Sequence, residues 1–191
     1  MRARGEDWLE VAIWNPDGSR AEMSGNGTRI AARWLAERTR AERVEVRVGE
    51  RVVGARMLGG DLVEQDLGEV VIGAPEEVEG IRFTPVDIGN PHAVVEGDPA
   101  SLPRIGPLLE THPRFPERTN VQVARRLGSG EIEARVWERG VGETGSSGSS
   151  AAAIAGALGV SPATVRFPGG ELLVRIENGR ATLTGPATRV G

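Results

Sequence analysis

Apolar and polar residues alternate cleanly from Val44 to Val48 (Val-Glu-Val-Arg-Val), the period of a strand with one buried face. Shorter runs from Trp8 to Trp14, Arg51 to Met57, Asp61 to Gln65, Glu69 to Ile72, Thr84 to Ile88 and Ala93 to Glu96 also read as strands. Gly and Asp between several of them mark the turns of a meander. Asn120 to Ala124 and Glu131 to Trp137 form a strand pair joined through Gly128-Ser-Gly130. Thr164 to Phe167, Leu172 to Ile176 and Arg180 to Thr184 close the chain, with Asn178-Gly179 as a hairpin turn. The period lengthens in three places. Ser24-Gly-Asn-Gly-Thr28 opens a helix whose Ile30, Ala31, Trp34 and Leu35 share a face. Pro99 to Glu110 predicts a short helix with Ser101 as cap. Ala151 to Leu158 predicts a helix of small residues after a glycine- and serine-rich loop, Gly140 to Ser150. Many short strands with two or three helices predict an α+β fold.

One pattern occurs twice. Trp14 stands ten residues before Ser24, and Trp137 ten before Ser147. Gly follows each serine, at 25 and 148, and an alanine-containing helix follows each glycine. Strand, polar loop, Ser-Gly turn and helix thus repeat 123 residues apart, which suggests a duplicated lobe with a cleft between the copies. A glycine-rich helix start exposes unpaired N–H groups at the positive end of the helix dipole, which suits a carboxylate. Two such starts facing one cleft would stabilise negative charge on a neighbouring carbon. The side chain opening each turn would stand on either side of that carbon. A serine at a helix start is nevertheless more often an N-cap than a catalytic group.

Composition narrows the chemistry. The 191 residues are enough for one domain or two small lobes, and 39% hydrophobic with 26% charged residues describes a globular chain. Cys is absent, which excludes thiolate nucleophiles, disulfides and cysteine-built zinc sites. All 23 basic residues are Arg, so neither an internal Schiff base to pyridoxal phosphate nor a P-loop lysine is possible. Two His, at 92 and 112, are too few for a His-built metal site, and no metal or other cofactor is expected. A net charge of −4, with Arg interleaved among Asp and Glu, argues against nucleic acid as a partner. No signal-like or membrane-spanning run is visible, so no membrane partner and a cytoplasmic location are expected.

Four stretches resemble the diaminopimelate epimerase family, which is cofactor-independent. Asn15-Pro-Asp-Gly-Ser-Arg-Ala-Glu-Met-Ser-Gly-Asn-Gly-Thr-Arg29 is similar to its first catalytic motif. Gly89-Asn-Pro-His92 is similar to its middle motif, and Thr119-Asn-Val121 to a third. Glu138-Arg-Gly-Val-Gly-Glu-Thr144 followed by Ser147-Gly148 resembles its second catalytic motif. The resemblance implies two pseudo-symmetric lobes of mixed sheet, each wrapped on a central helix, with boundaries near 1–84 and 85–184. The first lobe would be incomplete and finished by residues 185–191. It implies an isomerase of lysine biosynthesis that converts LL- to meso-diaminopimelate by two-base proton transfer. Ser24 and Ser147 fall on the two catalytic positions. Asn15, Asn90, Asn120, Glu138 and Arg139 fall on positions that hold the distal amino-acid centre. Gly25, Asn26, Gly148 and Ser149 fall on the turns that bind the reacting carboxylate. His92 reads as a structural hydrogen bonder.

The departures bear on activity. The family uses two Cys where this chain has Ser24 and Ser147. At ~1.4 kcal/mol per pKa unit, forming an alkoxide costs roughly 5 kcal/mol more than forming a thiolate. Weak or altered activity is the expectation. A non-catalytic amino-acid-binding homologue, or another cofactor-free isomerase of the wider proline racemase-like superfamily, are the alternatives. Gly145, Ser146 and Ser150 also depart from family usage, so the serines belong to a wider drift of that loop. The family's opening segment, with its Gly-Leu-Gly-Asn-Asp-Phe-like motif, has no counterpart here. An exposed edge in the first lobe and association into a homo-oligomer follow as expectations.

Overall fold

The structure, a computed structural model, describes residues 2–3, 7–14, 18 and 24–188. Among these, fifteen strands and three helices form an α+β fold. The strands are β1 (Arg2–Ala3), β2 (Trp8–Glu10), β3 (Arg43–Val48), β4 (Arg51–Gly59), β5 (Leu62–Glu69), β6 (Val71–Ile72), β7 (Glu76–Val78), β8 (Ile81–Asp87), β9 (Pro91–Glu96), β10 (Asn120–Gly128), β11 (Glu131–Glu138), β12 (Gly142–Thr144), β13 (Ala163–Phe167), β14 (Gly170–Glu177) and β15 (Arg180–Pro186). The helices are α1 (Gly25–Thr39), α2 (Leu102–Glu110) and α3 (Gly148–Leu158). One mixed sheet runs in the order β1-β2-β3-β4-β5-β15-β14-β13-β11-β10-β9-β8-β6, with β12 added to β11 and β7 to β8.

The topology repeats. β2 reaches the parallel strand β3 by crossing over through α1, and β4 and β5 follow antiparallel. β11 reaches the parallel strand β13 by crossing over through α3, and β14 and β15 follow antiparallel. A helix is the usual way to join parallel neighbours, which no tight turn can link. The third strands of the two units, β5 and β15, then pair antiparallel from Leu62↔Pro186 to Glu69↔Arg180. β8, β9, β10 and α2 extend the second unit, and β9 and β10 are parallel.

Each helix is buried to suit its surroundings. In α3 all residues but Ala157 are buried, because strands surround it and small side chains let them approach. Gly156 is one such approach: a Cβ there would lie 3.2 Å from Val70. α1 covers β3, β4 and β5 with Ala31, Ala32, Leu35 and Ala36 against Val44, Val46 and Val63. The face expected from the sequence is rotated. Ile30 is 57% exposed, and Trp34 is half-buried under the Arg38 guanidinium, 4.6 Å from its ring. Three alanines seat the helix closely on the sheet, and the bulkier residues are turned aside.

Other boundaries also shift. The first strand is regular only over Trp8–Glu10, although Val11 still donates to Arg47 O at 2.8 Å. α3 begins at Gly148, three residues before the expected start, because Ser147 caps it. The preceding loop contains β12, paired with the end of β11. Ser101 does not cap α2 through its side chain. Asp98 caps the preceding 3-10 turn instead, accepting from Ala100 N at 3.1 Å, and Ser101 Oγ donates to Asp98 O. β7 carries no strand signal in the sequence and arises by pairing with β8. Among the described residues no helix is long and apolar enough to cross a membrane.

Candidate active site

The N-termini of α1 and α3 meet head to head. A Cβ on Gly25 would stand 2.9 Å from Gly148 Cα, and one on Gly148 would stand 3.2 Å from Gly25 Cα and 2.7 Å from Leu183 Cδ2. Only glycine allows this approach. Ser24 and Ser147 precede these glycines in nearly the same extended conformation, φ −140°, ψ 112° and φ −145°, ψ 128°. Ser24 Oγ accepts from Gly27 N at 3.0 Å. Ser147 is buried; its Oγ accepts from Ser150 N at 3.5 Å and lies 3.4 Å from Ser149 Oγ. Both hydroxyls therefore cap helices, as serine ordinarily does. Asn26 joins the two starts, its Nδ2 donating to Ser146 O at 3.0 Å.

Two buried glutamines brace these turns. Gln65, on β5, is fully buried. Its Nε2 donates to Gly25 O at 2.9 Å, and its Oε1 accepts from Thr28 Oγ1 and Arg29 N at 2.8 and 3.0 Å. Gln122, on β10, donates to Ser150 Oγ at 3.0 Å and to His92 Nδ1 at 2.9 Å. His92 is 1% exposed. Burial brings its pKa down to about 3; the Gln122 hydrogen bond opposes this and the nearby Arg139 charge adds to it. The ring is thus neutral. With Nδ1 accepting, the proton sits on Nε2 and is donated to Asn90 Oδ1 at 2.9 Å. This chain of hydrogen bonds runs from the first turn of α3 to the Gly89-Asn-Pro-His92 segment.

Asn120, at the start of β10, uses both ends of its amide inside the protein. Nδ2 donates to Pro91 O at 2.9 Å, and Oδ1 accepts from Arg139 N at 3.0 Å. It thereby fixes the turn after β11 beside the Asn90 segment. Arg139 Nη1 also donates to Glu117 O at 3.2 Å. Glu138 accepts a short hydrogen bond from Thr144 Oγ1, and burial raises its pKa above the usual carboxylate value against the effect of that bond. Asn15 lies outside the described residues. The structure thus brings Gly25 against Gly148 and bonds Asn26 to Ser146 O, with Ser24 and Ser147 capping the two helices that meet there. It joins Arg139 to Asn120 and Asn120 to the Asn90-Pro91-His92 segment, while the Glu138 carboxylate is bonded to Thr144. His92 is the structural hydrogen bonder expected. Arg29, Gln65 and Gln122 carry no role in the motif reading. For Gln65 a signal was present: it falls in phase with Val63 and Leu67, a polar residue on an inward face.

The arrangement offers backbone donors and two helix dipoles to an anion, with a hydroxyl at the head of each helix. Among the described residues no group of three or more His, Asp or Glu is placed to hold a metal ion.

Comparison with known proteins agrees with this geometry. The diaminopimelate epimerase family matches residues 84–190. The diaminopimelate epimerase of Desulforudis audaxviator is 37% identical over 214 aligned positions, covering 95% of this chain and 77% of that protein. The diaminopimelate epimerase of Synechocystis is 35% identical, covering 97% and 77%. Among solved structures, a predicted epimerase of Pseudomonas aeruginosa has a TM-score of 0.75 at 17% identity, covering 97% of this chain and 78% of that one. A hydroxyproline epimerase of Agrobacterium vitis, solved with trans-4-hydroxy-L-proline, has a TM-score of 0.74 at 19% identity, covering 95% and 68%. The identities and coverage, together with the motifs in order along the fold, establish that this chain belongs to the diaminopimelate epimerase family of isomerases.

Proposed function

We propose that the chain acts on diaminopimelate, as a slow epimerase of the LL to meso type that needs no pyridoxal phosphate. The observation that carries this reading is the meeting of two serine-capped helix N-termini at Gly25 and Gly148. The reacting carboxylate is held by the N–H groups of Gly25, Asn26, Gly148 and Ser149. Charge leaving the α-carbon spreads into that carboxylate, where both helix dipoles stabilise it. Ser24 and Ser147 stand in the proton-transfer positions on the two sides. Arg139, held by Asn120, pairs with the distal carboxylate, and Asn15, Asn90 and Glu138 complete the distal site. The cleft lies between two lobes. β8 (Ile81–Asp87) pairs with β9 and goes with the second, so the division falls before Ile81 and not at the 84/85 boundary expected from the sequence. The tail belongs to the first, a reading supported by Ala187 packing in its core.

A second reading, an amino-acid-binding protein without turnover, is favoured by the hydroxyls themselves. Both serve as caps, and neither has the low pKa of a thiol.

α-Proton exchange in deuterated water, measured over a panel of amino acids that includes diaminopimelate and proline, separates the readings. Slow exchange confined to diaminopimelate is expected. Ser24→Cys with Ser147→Cys is expected to raise it by at least a hundredfold, each tenfold being 1.36 kcal/mol of barrier. Calorimetric binding without exchange in the parent or the double variant would favour the second reading. Absence of both binding and exchange would remove diaminopimelate as the ligand.

A further inference from the structure

Arg29, one turn into α1, is 6% exposed and has no carboxylate within ion-pair distance among the described residues. Its contacts are all neutral. Nε donates to Pro186 O at 2.8 Å, Nη1 to Gly25 O at 3.3 Å, and Nη2 to Asn26 Oδ1 at 3.0 Å. Burial alone pulls the guanidinium pKa down, with no acidic neighbour to oppose it. A buried charge without a counter-charge is costly and is ordinarily paired.

The place of this cation explains what it does. Asn26 Oδ1 is an acceptor on the turn that meets α3, and left exposed there it would repel an anion. Arg29 draws it inward; the Gly25 carbonyl, which points down the helix, takes Arg29 Nη1 and Gln65 Nε2 together. The Arg29 bond to Oδ1 also fixes the orientation of the Asn26 amide, so that Nδ2 reaches Ser146 O and ties the turn before α3 to α1. The joint is left with N–H groups facing outward, two helix N-termini and a third, fixed positive charge behind them.

We propose that Arg29 is a positioning residue of this site: it orients Asn26, turns the Asn26 acceptor away from the anion-binding turn, and keeps a charge that the ligand's carboxylate neutralises. This rests on the reading of the joint as a carboxylate site and adds the residue that gives the joint its polarity. Arg29 does not touch the reacting atoms.

The test compares the parent chain with Arg29→Met and Arg29→Lys. Calorimetry with diaminopimelate is expected to show at least tenfold weaker binding for Arg29→Met. Arg29→Lys keeps the charge without the fork, and is expected to recover part of the loss. Thermal melts without ligand separate positioning from structure. Arg29→Met is expected to keep a cooperative melt while losing the rise in melting temperature that ligand gives the parent. The Asn26 side-chain amide signals should move in both variants. Binding of Arg29→Met at the parent's affinity would overturn the proposal. If Arg29→Met does not fold, Arg29→Lys decides: parental affinity with unmoved Asn26 signals overturns it, and weaker binding with a parental melt supports it. If the parent does not bind diaminopimelate, that substrate reading falls, and acetate is titrated against the amide signals of Gly25, Asn26, Gly148 and Ser149. Shifts in the parent that vanish in Arg29→Met support the proposal; equal shifts, or none, overturn it.

Discussion

His92 links burial to pH. Its folded pKa of about 3 lies below the ordinary value of 6.5, so between these limits the unfolded chain binds a proton that the folded chain does not. Stability is therefore full above pH 6.5 and is lost as pH falls toward 3, with a limiting slope of about 1.4 kcal/mol per pH unit. Urea midpoints measured from pH 7 to 5 should fall more steeply for the parent than for His92→Gln. Equal slopes would mean that the ring is not buried neutral. Asn120 gives a second test. Asn120→Asp keeps the shape and loses the donor to Pro91 O, setting a carboxylate against a carbonyl. A loss of about 1–3 kcal/mol is expected by the same titrations. At this scale the sequence was readable where chemistry follows spacing, as in the Ser-Gly turns. It was not readable where a residue's role depends on a distant partner: nothing near Asn120 in sequence shows that Arg139 N will meet it.

Helix packing turns on two glycines. Gly25→Ala sets a methyl 2.9 Å from the Gly148 backbone, and Gly148→Ala sets one against both Gly25 and Leu183. Neither neighbour is the end of a flexible chain at Gly25, so α1 and α3 must part. A cost of about 1–3 kcal/mol and weaker diaminopimelate binding are expected, read by thermal melts and calorimetry. Gly54→Ala, where a methyl meets nothing within 4 Å, is the control and should leave both unchanged. The strand β3 was legible because one buried face imposes strict alternation. The orientation of α1 was not, since periodicity marks Ile30 and Trp34 as apolar without showing that Ala31, Ala32 and Ala36 dock closer. The start of α3 was hidden by its composition: Gly, Ser and Ser are weak helix formers, and the Ser147 cap together with the enclosing strands outweighs them.

Over the whole chain, the two topological units share one sheet through β5 and β15, with Arg29 and Asn26 as further ties. They should unfold together. Trp8 and Trp34 report on the first unit and Trp137, packed on Gly106 of α2, on the second. Denaturation followed by fluorescence should give one midpoint whether Trp137 or the set Trp8, Trp14 and Trp34 is replaced by Phe, after correction for each variant's own stability by circular dichroism. Separate midpoints would show two independent folding units. The pairing of β5 with β15 was beyond local pattern, since its partners lie more than a hundred residues apart. That seam has a further consequence. The strands meeting there hold the same place in their two units and run antiparallel, as equivalent strands of identical subunits do across a dyad. A solitary unit would present that strand as a bare, adhesive edge. Joining both in one polypeptide supplies the mate at fixed stoichiometry, so the edge stays covered at any dilution. It also lets each half change alone: one turn carries Gly27 where its counterpart carries Ser150, an asymmetry closed to a dimer of identical chains.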